Sequence, residues 1–370
     1  MKIERIETTA ISVTLPRDFR GSVYSVPQKN CILTRIFTSD GVVGECVNGE
    51  GAGDIQLQQC RIIQQELAPM LLGQDPTRIE ALWPLMWRAT SRGGRDPRAA
   101  VRAVACLDSA LWDVLGKVAG LPLWRLWGGA HEALPVICIG GQYQEGAGPE
   151  VYAEEMAALQ AEGMAGCKFK VGGATPEHDA ARTRAAREAA GEDFILCPDA
   201  NRAWRRSEAL DYARRAAPLG LRWFEEPVLW ANDRRDMALL RGLTGIPICA
   251  GQSESTAEDC RDLIVDGAVD VCNLDASWGG GPTAWLRVAK LAACFGVEMA
   301  HHGEPILGAH LLGAVANATY VEVHHRERDP AFWRMAEGRG DIRDGLYHLP
   351  AGPGFGLSYD QGFVDHYKVG

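Results

Sequence analysis

From about Leu134 onward the chain alternates strand-like and helix-like stretches at near-even spacing, and few folds accept that rhythm. Short apolar runs at 134–141, 166–172, 194–200, 221–226, 247–252, 269–275, 297–302 and 319–324 read as buried strands. Amphipathic or alanine-rich segments lie between them, among them Val151–Glu162, Glu177–Ala190, Ser207–Ala217 and Thr283–Cys294. Evenly spaced strands with intervening helices are the signature of a β/α barrel.

The first part of the chain has a different texture. Residues 3–14 and 31–48 alternate apolar and polar residues as strands do, and Ser39-Asp40-Gly41 supplies a hairpin turn. Pro16–Asn30, carrying Arg17, Arg20, Tyr24 and Pro27, has little periodicity and is expected to be a long functional loop. The glycine-rich stretch Asn48–Gly53 lacks the strand–helix context of a phosphate loop. Three helices are expected next. Two open with Asp-Pro, at Asp75-Pro76 and Asp96-Pro97, where a capping carboxylate precedes a first-turn proline; the third runs through Ala99–Ala119 to Gly120. Strands followed by helices make an α+β domain. The expected division is 1–128 for this domain, 129–335 for the barrel, and 336–370 for a Gly- and Pro-rich tail returning to the first domain.

A length of 370 residues suits a two-domain enzyme, and 46% apolar with 23% charged residues is ordinary for a soluble protein. A net charge of -10 argues against nucleic acid or an anionic membrane as partner. It leaves room for a small anionic substrate, because a metal or a lysine pair can reverse the sign inside a pocket. The eleven cysteines are scattered through apolar runs without paired spacing, which is buried-thiol usage. Met1–Arg5 opens without an apolar signal segment and no run approaches membrane-spanning length, so a reduced, cytoplasmic protein is expected.

The second barrel strand, Gly166–Gly172, contains Lys168-Phe169-Lys170. Alternate residues of a strand share a face, so both ammonium groups point the same way. Burying them side by side is costly unless anions or a catalytic purpose hold them there. The ends of the other strands supply a reason, since barrel enzymes keep their chemistry at the C-terminal mouth. There stand Asp199-Ala200-Asn201, Glu225-Glu226-Pro227, Gly251-Gln252, Asn273-Leu274-Asp275, His301-His302 and Glu322.

Asp199 and Glu225, on adjacent strands, are hard oxygen donors of the kind Mg²⁺ prefers. Asp275 and His302 also lie on adjacent strands, and a carboxylate on one ring nitrogen leaves the other for proton transfer. A zinc site at His301-His302 or His324-His325 is disfavoured, because neighbours on a strand face opposite ways. Lysine on one side, a His–Asp dyad on the other and a metal between suit removal of a proton next to a carboxylate, with the metal stabilising the enolate. A desolvated Lys170 beside Lys168 is expected to have a lowered pKa, as a base near neutral pH requires.

These residues resemble the mandelate racemase subgroup of the enolase superfamily. The resemblance covers nearly the whole chain. It includes Ala110–Lys117 with Gly120–Leu123, Lys168-x-Lys170, Asp199-x-Asn201, Trp223–Pro227, Asp275, His302 and Glu322, in that order. It implies a modified (β/α)7β TIM-type barrel under an α+β capping domain built from the N-terminal region and the C-terminal tail. It also implies that Lys170 is the base on one face, with Lys168 beside it contacting the substrate carboxylate. Asp199 and Glu225 would bind Mg²⁺, with Asn201 beside the metal. His302, paired with Asp275, would be the acid/base of the other face, and Glu322 would hydrogen-bond the substrate carboxylate. The 16–30 and 48–53 loops would choose the substrate, with Arg17, Arg20 and Tyr24 as candidate contacts to its distal part. A homo-oligomer is the assembly common among such proteins.

One departure matters. The third metal ligand of the family is usually a glutamate after the strand-five glycine, and here that position is Gln252. A neutral amide oxygen can still coordinate Mg²⁺; Glu254, two residues on, is the alternative. The favoured reading is Mg²⁺-dependent dehydration of a sugar acid, an aldonate or aldarate, to a 2-keto-3-deoxy acid. Racemisation or epimerisation by the same Lys170/His302 pair is the runner-up, and a non-catalytic metal- or ligand-binding relic the third.

Overall fold

The computed structural model describes residues 1–50, 55–91, 93–94 and 96–370. Strands β1 (Ile3–Arg20), β2 (Ser25–Thr38) and β3 (Val43–Glu50) form an antiparallel sheet. The long loop expected at Pro16–Asn30 is instead the tip of the β1–β2 hairpin. Only Gly21–Tyr24 turn, with the Gly21 amide donating to the Tyr24 carbonyl at 3.0 Å. A register shift between Thr14 and Phe19 explains the misreading. An irregularity inserts residues on one strand, so the alternation of faces breaks in sequence while pairing resumes at Phe19 and Val26. Of the glycine-rich stretch, Asn48–Glu50 belong to β3 and 51–53 lie outside the described residues.

Helical residues follow as α1 (Ile55–Ile62), a π-helical turn through Leu67, α2 (Ala68–Leu71), α3 (Ile79–Trp87), α4 (Pro97–Ala119) and α5 (Leu123–Leu126). The α1–α2 run was not legible because its inward face carries Gln56 and Gln59, both buried, which blurs the apolar period. Asp75 does not cap a helix; its carboxylate takes the Thr77 amide and hydroxyl in a turn, and α3 starts at Ile79. The Asp96-Pro97 start and the 99–119 run are one helix. Asp96 accepts from the Arg98 amide at 3.0 Å, and Gly120 closes α4 in the left-handed conformation (φ +66°). The buried face of α4, including Ala103, Val104, Leu107 and Leu111, shares a core with Ile32 and Ile36 of the sheet.

Eight parallel strands then alternate with seven helices: β4 (Ala133–Gly140), α6 (Pro149–Ala161), β5 (Gly166–Lys170), α7 (Pro176–Ala190), β6 (Ile195–Asp199), α8 (Arg206–Ala216), β7 (Phe224–Glu225), α9 (Asp233–Thr244), β8 (Ile248–Ala250), α10 (Ala257–Val265), β9 (Val271–Cys272), α11 (Pro282–Cys294), β10 (Glu298–Met299), α12 (Pro305–Ala314) and β11 (Val321–His324). Each of β4 to β9 pairs with its successor, and β11 pairs with β4. Between β10 and β11 the ladder thins to one parallel bridge, Met299 with Ala318. The fold is a modified (β/α)7β barrel with an α+β capping domain. Among the described residues no helix is long and apolar enough to cross a membrane. All eleven cysteines are free thiols, and only Cys294 is exposed.

The tail adds β12 (Ala336–Glu337), β13 (Asp341–Arg343), β14 (Leu346–His348), β15 (Ser358–Tyr359) and a last helix, α13 (Gln361–Tyr367), which the sequence did not announce. Strand β14 pairs antiparallel with β4. Tyr359, Phe363 and Val364 then pack on Ile11, Val13, Cys31 and Leu33 of the first sheet. The Tyr359 hydroxyl accepts from the Val47 amide at 3.0 Å.

Buried His310 ties three of these parts together. Its Nδ1 accepts from the Trp124 amide of α5 at 3.2 Å, and its Nε2 reaches the Phe355 carbonyl of the tail at 3.1 Å. That pattern requires a neutral ring, and burial pushes its pKa from 6.5 down to about 4. Below pH 6.5 the unfolded chain therefore binds a proton that the folded chain refuses. Stability carried by this residue is expected to fall by about 1.4 kcal/mol per pH unit from pH 6.5 to about pH 4. Urea midpoints across that range should show a shallower pH slope in His310→Gln than in the parent.

Candidate active site

The parallel register sets Lys170 of β5 beside Asp199 of β6, and Asp199 beside Glu225 of β7. Each buried lysine then meets a carboxylate. Lys170 Nζ donates to Asp199 Oδ2 at 2.6 Å and to Asn201 Oδ1 at 3.0 Å. Lys168 Nζ lies 3.1 Å from Glu225 Oε1 and 2.7 Å from Glu322 Oε2, which connects β5 to β7 and to β11. Glu225 also receives Trp223 Nε1 at 3.1 Å and Asn273 Nδ2 at 3.0 Å. These two donors stood in the sequence as part of an apolar strand and a strand end; their shared target was not legible.

Burial lowers the pKa of both ammonium groups, but the facing carboxylates outweigh it, so both are raised. Lys170 thus departs from the expected lowered pKa. Asp199, 2.6 Å away, stabilises the charged form by more than burial penalises it. Asp199 itself is held below the usual carboxylate range, since Lys170, Lys168 and the Asn201 amide overcome the effect of burial. Glu322 is likewise lowered, with Lys168 prevailing over burial.

On the other side of the mouth His302 Nδ1 lies 2.7 Å from Asp275 Oδ2. Asp275 Oδ1 is fixed by the amides of Ser277 and Trp278 at 2.8 and 3.2 Å. The Trp278 ring lies 5.2 Å from the His302 ring. With Nδ1 engaged, Nε2 is the nitrogen left for proton transfer. His301 has a different task. Its Nε2 accepts from the Glu322 amide at 2.9 Å, and burial pushes its pKa down to about 4. Only one histidine of the pair therefore presents acid/base chemistry.

The strand ends carry backbone strain. Asn201, Arg202 and Glu226, none of them glycine, have φ of +45°, +63° and +38°. Asn201 and Arg202 come just after Asp199-Ala200, and Glu226 immediately follows Glu225. The Arg202 amide donates to the Glu226 carbonyl at 2.8 Å, so the left-handed residues of β6 and β7 hold one another.

Asp199, Glu225 and Gln252 are the oxygen donors on β6, β7 and after β8. Among the described residues no group of three or more His, Cys, Asp or Glu side chains is placed to hold a metal ion. Gln252 is buried, and its Oε1 has no hydrogen-bond partner among the described residues. An orphaned, buried amide oxygen at the end of the strand next to that of Glu225 has the chemistry that a hard cation such as Mg²⁺ takes. Glu254 instead lines a groove of about 1150 Å³ with Arg98, Trp230, Asp233 and Asp259, and that groove includes none of the three donors. Burial and the neighbouring Glu226, Asp233 and Asp259 carboxylates push Glu254 up to about 8.

Residues 5–128 match the mandelate racemase / muconate lactonizing enzyme N-terminal domain, and residues 151–363 match the enolase C-terminal domain-like family. The chain belongs to the mandelate racemase subgroup of the enolase superfamily. It is 33% identical over 350 residues to an arabinonate dehydratase of Saccharolobus solfataricus, covering 91% of this chain and 90% of that protein. It is 31% identical over 367 residues to a 3,6-anhydro-alpha-L-galactonate cycloisomerase of Streptomyces coelicolor, covering 97% of each. A mandelate racemase/muconate lactonizing enzyme from a marine actinobacterium, solved in complex with magnesium, superposes with a TM-score of 0.93. Identity to it is 44%, over 100% of this chain and 99% of that one.

Within this enolase-superfamily architecture the hairpin tip of the capping domain reaches the barrel through one of the three candidate residues, Tyr24, and not through Arg17 or Arg20. The Tyr24 ring centre lies 5.8 Å from Lys170 Nζ, which brings Tyr24 to the site. Arg17 is half exposed and its Nε lies 3.3 Å from Glu327 Oε2. Arg20 is exposed, with its carbonyl accepting the Tyr143 amide at 2.9 Å. Neither arginine is brought to the lysines. A buried cation that the sequence reading passed over does join cap to barrel: Lys29 Nζ donates to Glu304 Oε1 at 2.6 Å and to Asp329 Oδ2 at 3.3 Å. Glu304 sits at the head of α12, two residues past His302. A lysine on the apolar face of β2 was the available signal. Lys29→Met would strand two buried carboxylates and is expected to lower stability by about 3–5 kcal/mol, read from urea unfolding.

Proposed function

We propose that this chain is a Mg²⁺-dependent hydro-lyase that dehydrates a sugar acid, an aldonate or aldarate, to a 2-keto-3-deoxy acid. The observation that supports the reading is the presence of two acid/base groups, Lys170 on β5 and the Asp275-oriented His302 after β10, on non-adjacent strands of the barrel. Elimination of water needs both a base at the α-carbon and an acid at the β-hydroxyl. The likeness to a dehydratase of a sugar acid supports the same class.

Asp199, Glu225 and Gln252 would hold Mg²⁺, which would draw charge from the substrate carboxylate and acidify the adjacent C–H. Lys168, already set between Glu225 and Glu322, would face that carboxylate. Glu322 would hydrogen-bond it through a proton taken up as the second anion arrives, since like charges disfavour two ionised carboxylates. Lys170, as the free amine once Mg²⁺ held by Asp199 offsets the negative charge that keeps it protonated, or His302 on the other face, would remove the α-proton. Protonated His302 gives its proton to the departing β-hydroxyl, so water leaves and an enol remains; the enol then takes a proton at Cβ and becomes the 2-keto acid. Asp275 stabilises the imidazolium and keeps Nε2 toward the substrate. Tyr24 closes over Lys170 from the capping hairpin.

The same two groups can instead return the proton from the opposite face, which is the racemase or epimerase reading. Incubation with a library of mono- and diacid sugars and Mg²⁺, scored for 2-keto acid, tests the proposal; absence of turnover across the library would sink it. Solvent deuterium at the α-carbon without loss of water would favour epimerisation. Lys170→Met is expected to abolish α-proton exchange from its own face, followed by NMR in D₂O, with an unchanged circular dichroism spectrum.

A further inference from the structure

A carboxamide has two ends of nearly equal shape and opposite chemistry. Its oxygen can coordinate a cation, whereas its NH₂ carries two protons and cannot. A glutamine in a metal site is therefore useful in one of two orientations, and something must choose between them. Here Glu226 makes the choice. Gln252 Nε2 donates to Glu226 Oε2 at 2.7 Å, and Gln252 Oε1 is left buried without a hydrogen-bond partner among the described residues. A carboxylate only accepts, so the flipped amide would set two acceptors against each other.

Glu226 is itself firmly held. The Ser253 hydroxyl donates to its Oε1, and Arg202 Nε lies 3.7 Å from its Oε2. Its amide donates to the Cys249 carbonyl at 2.9 Å, which sustains the left-handed backbone at φ +38°. That conformation breaks the strand alternation, so consecutive carboxylates can serve the same strand ends. Glu225 takes Lys168 and Asn273, and Glu226 takes Gln252 and Ser253. The Gln252 amide in turn donates to Asn273 Oδ1 at 3.1 Å.

We propose that Glu226 is a positioning residue that fixes the Gln252 carboxamide with Oε1, and not Nε2, toward Mg²⁺, and that it keeps beside the ligand the negative charge that residue 252 itself lacks. The inference rests on the reading of Gln252 as the third ligand. It also predicts a reciprocal arrangement. Glu226→Gln combined with Gln252→Glu restores one donor amide facing one carboxylate, with the carboxylate now at the ligand position. In Gln252→Glu alone the amide is gone, and with it the orientation that Glu226 would fix.

The test is Mg²⁺ titration of the full chain by calorimetry, without substrate, with melting temperature as the control for folding. Removal of an outer partner of a metal ligand typically costs about 10–100-fold in metal affinity. Gln252→Ala and Glu226→Gln are each expected to weaken Mg²⁺ at least about tenfold, and the double variant Glu226→Gln/Gln252→Glu to recover most of that loss. In the Gln252→Glu background Glu226→Gln should cost little Mg²⁺ affinity, a comparison that stands even where Glu226→Gln alone fails to fold. Parental affinity in Gln252→Ala would overturn the ligand reading and the inference with it. A loss in Gln252→Ala with parental affinity in Glu226→Gln would leave the ligand reading standing and overturn the inference. A loss in Glu226→Gln that the second substitution does not reverse would also overturn it, because fixing the orientation of an amide cannot matter once residue 252 is a carboxylate.

Discussion

Two ammonium groups are buried at the mouth of this barrel, and everything around them is arranged to make that tolerable. Lys170 is met by Asp199 and Asn201, Lys168 by Glu225 and Glu322. A buried ion pair recovers its desolvation cost only with close contacts and satisfied remaining valences. The contacts span β5, β6, β7 and β11, so the charges also fix how these strand ends stand relative to one another. A site of this kind is rigid because its electrostatics would fail otherwise, and rigidity is what proton transfer to a carbon acid demands.

The support continues outward. Arg182 of α7 donates to the Lys170 carbonyl at 3.1 Å and to the Gly141 carbonyl at 2.6 Å, and its guanidinium lies between the Tyr143 and Tyr152 rings at 4.0 and 4.1 Å. Asp179 binds Arg182 at 2.6 Å and takes the Gly172 amide at 2.8 Å. The strand end that presents Lys170 is therefore held from behind by a second, fully buried ion pair. On the cap side, Lys29 with Glu304 and Asp329 performs the same office for the segments that follow His302 and Glu322.

The elements and residues legible in the sequence are those whose signal is local. Lys168-x-Lys170 is visible because two charges interrupt an apolar strand, and the strand-end acids and histidines because the barrel's rhythm says where strands stop. The strands shrink, as at 221–226, where the regular strand is only Phe224–Glu225 and the left-handed Glu226 ends it. No residue type announces that turn. The hairpin tip was misread because a register shift spoils the period, and the α1–α2 run because glutamines occupy its inner face. Lys29 was passed over because its partners lie 275 and 300 residues away. Pairing over such separations is a property of the fold, and only position on an apolar face hints at it.

The glutamine at position 252 looked from the sequence like a charge missing from a metal site. In the folded chain another carboxylate stands close behind it. Glu226 lies one hydrogen bond behind the amide, buried, with the carboxamide's protons turned toward it. A metal held by Asp199, Glu225 and the amide oxygen would meet fewer formal charges directly, and would withdraw electron density from a bound carboxylate more strongly for that reason. It would still feel a field close to that of three acids at slightly longer range. Separating charge from coordination in this way moves pull toward the substrate without giving up all of the attraction that keeps the metal in place. The amide can do this only while its orientation is fixed, which makes the outer carboxylate as much a part of the site as the ligand it turns.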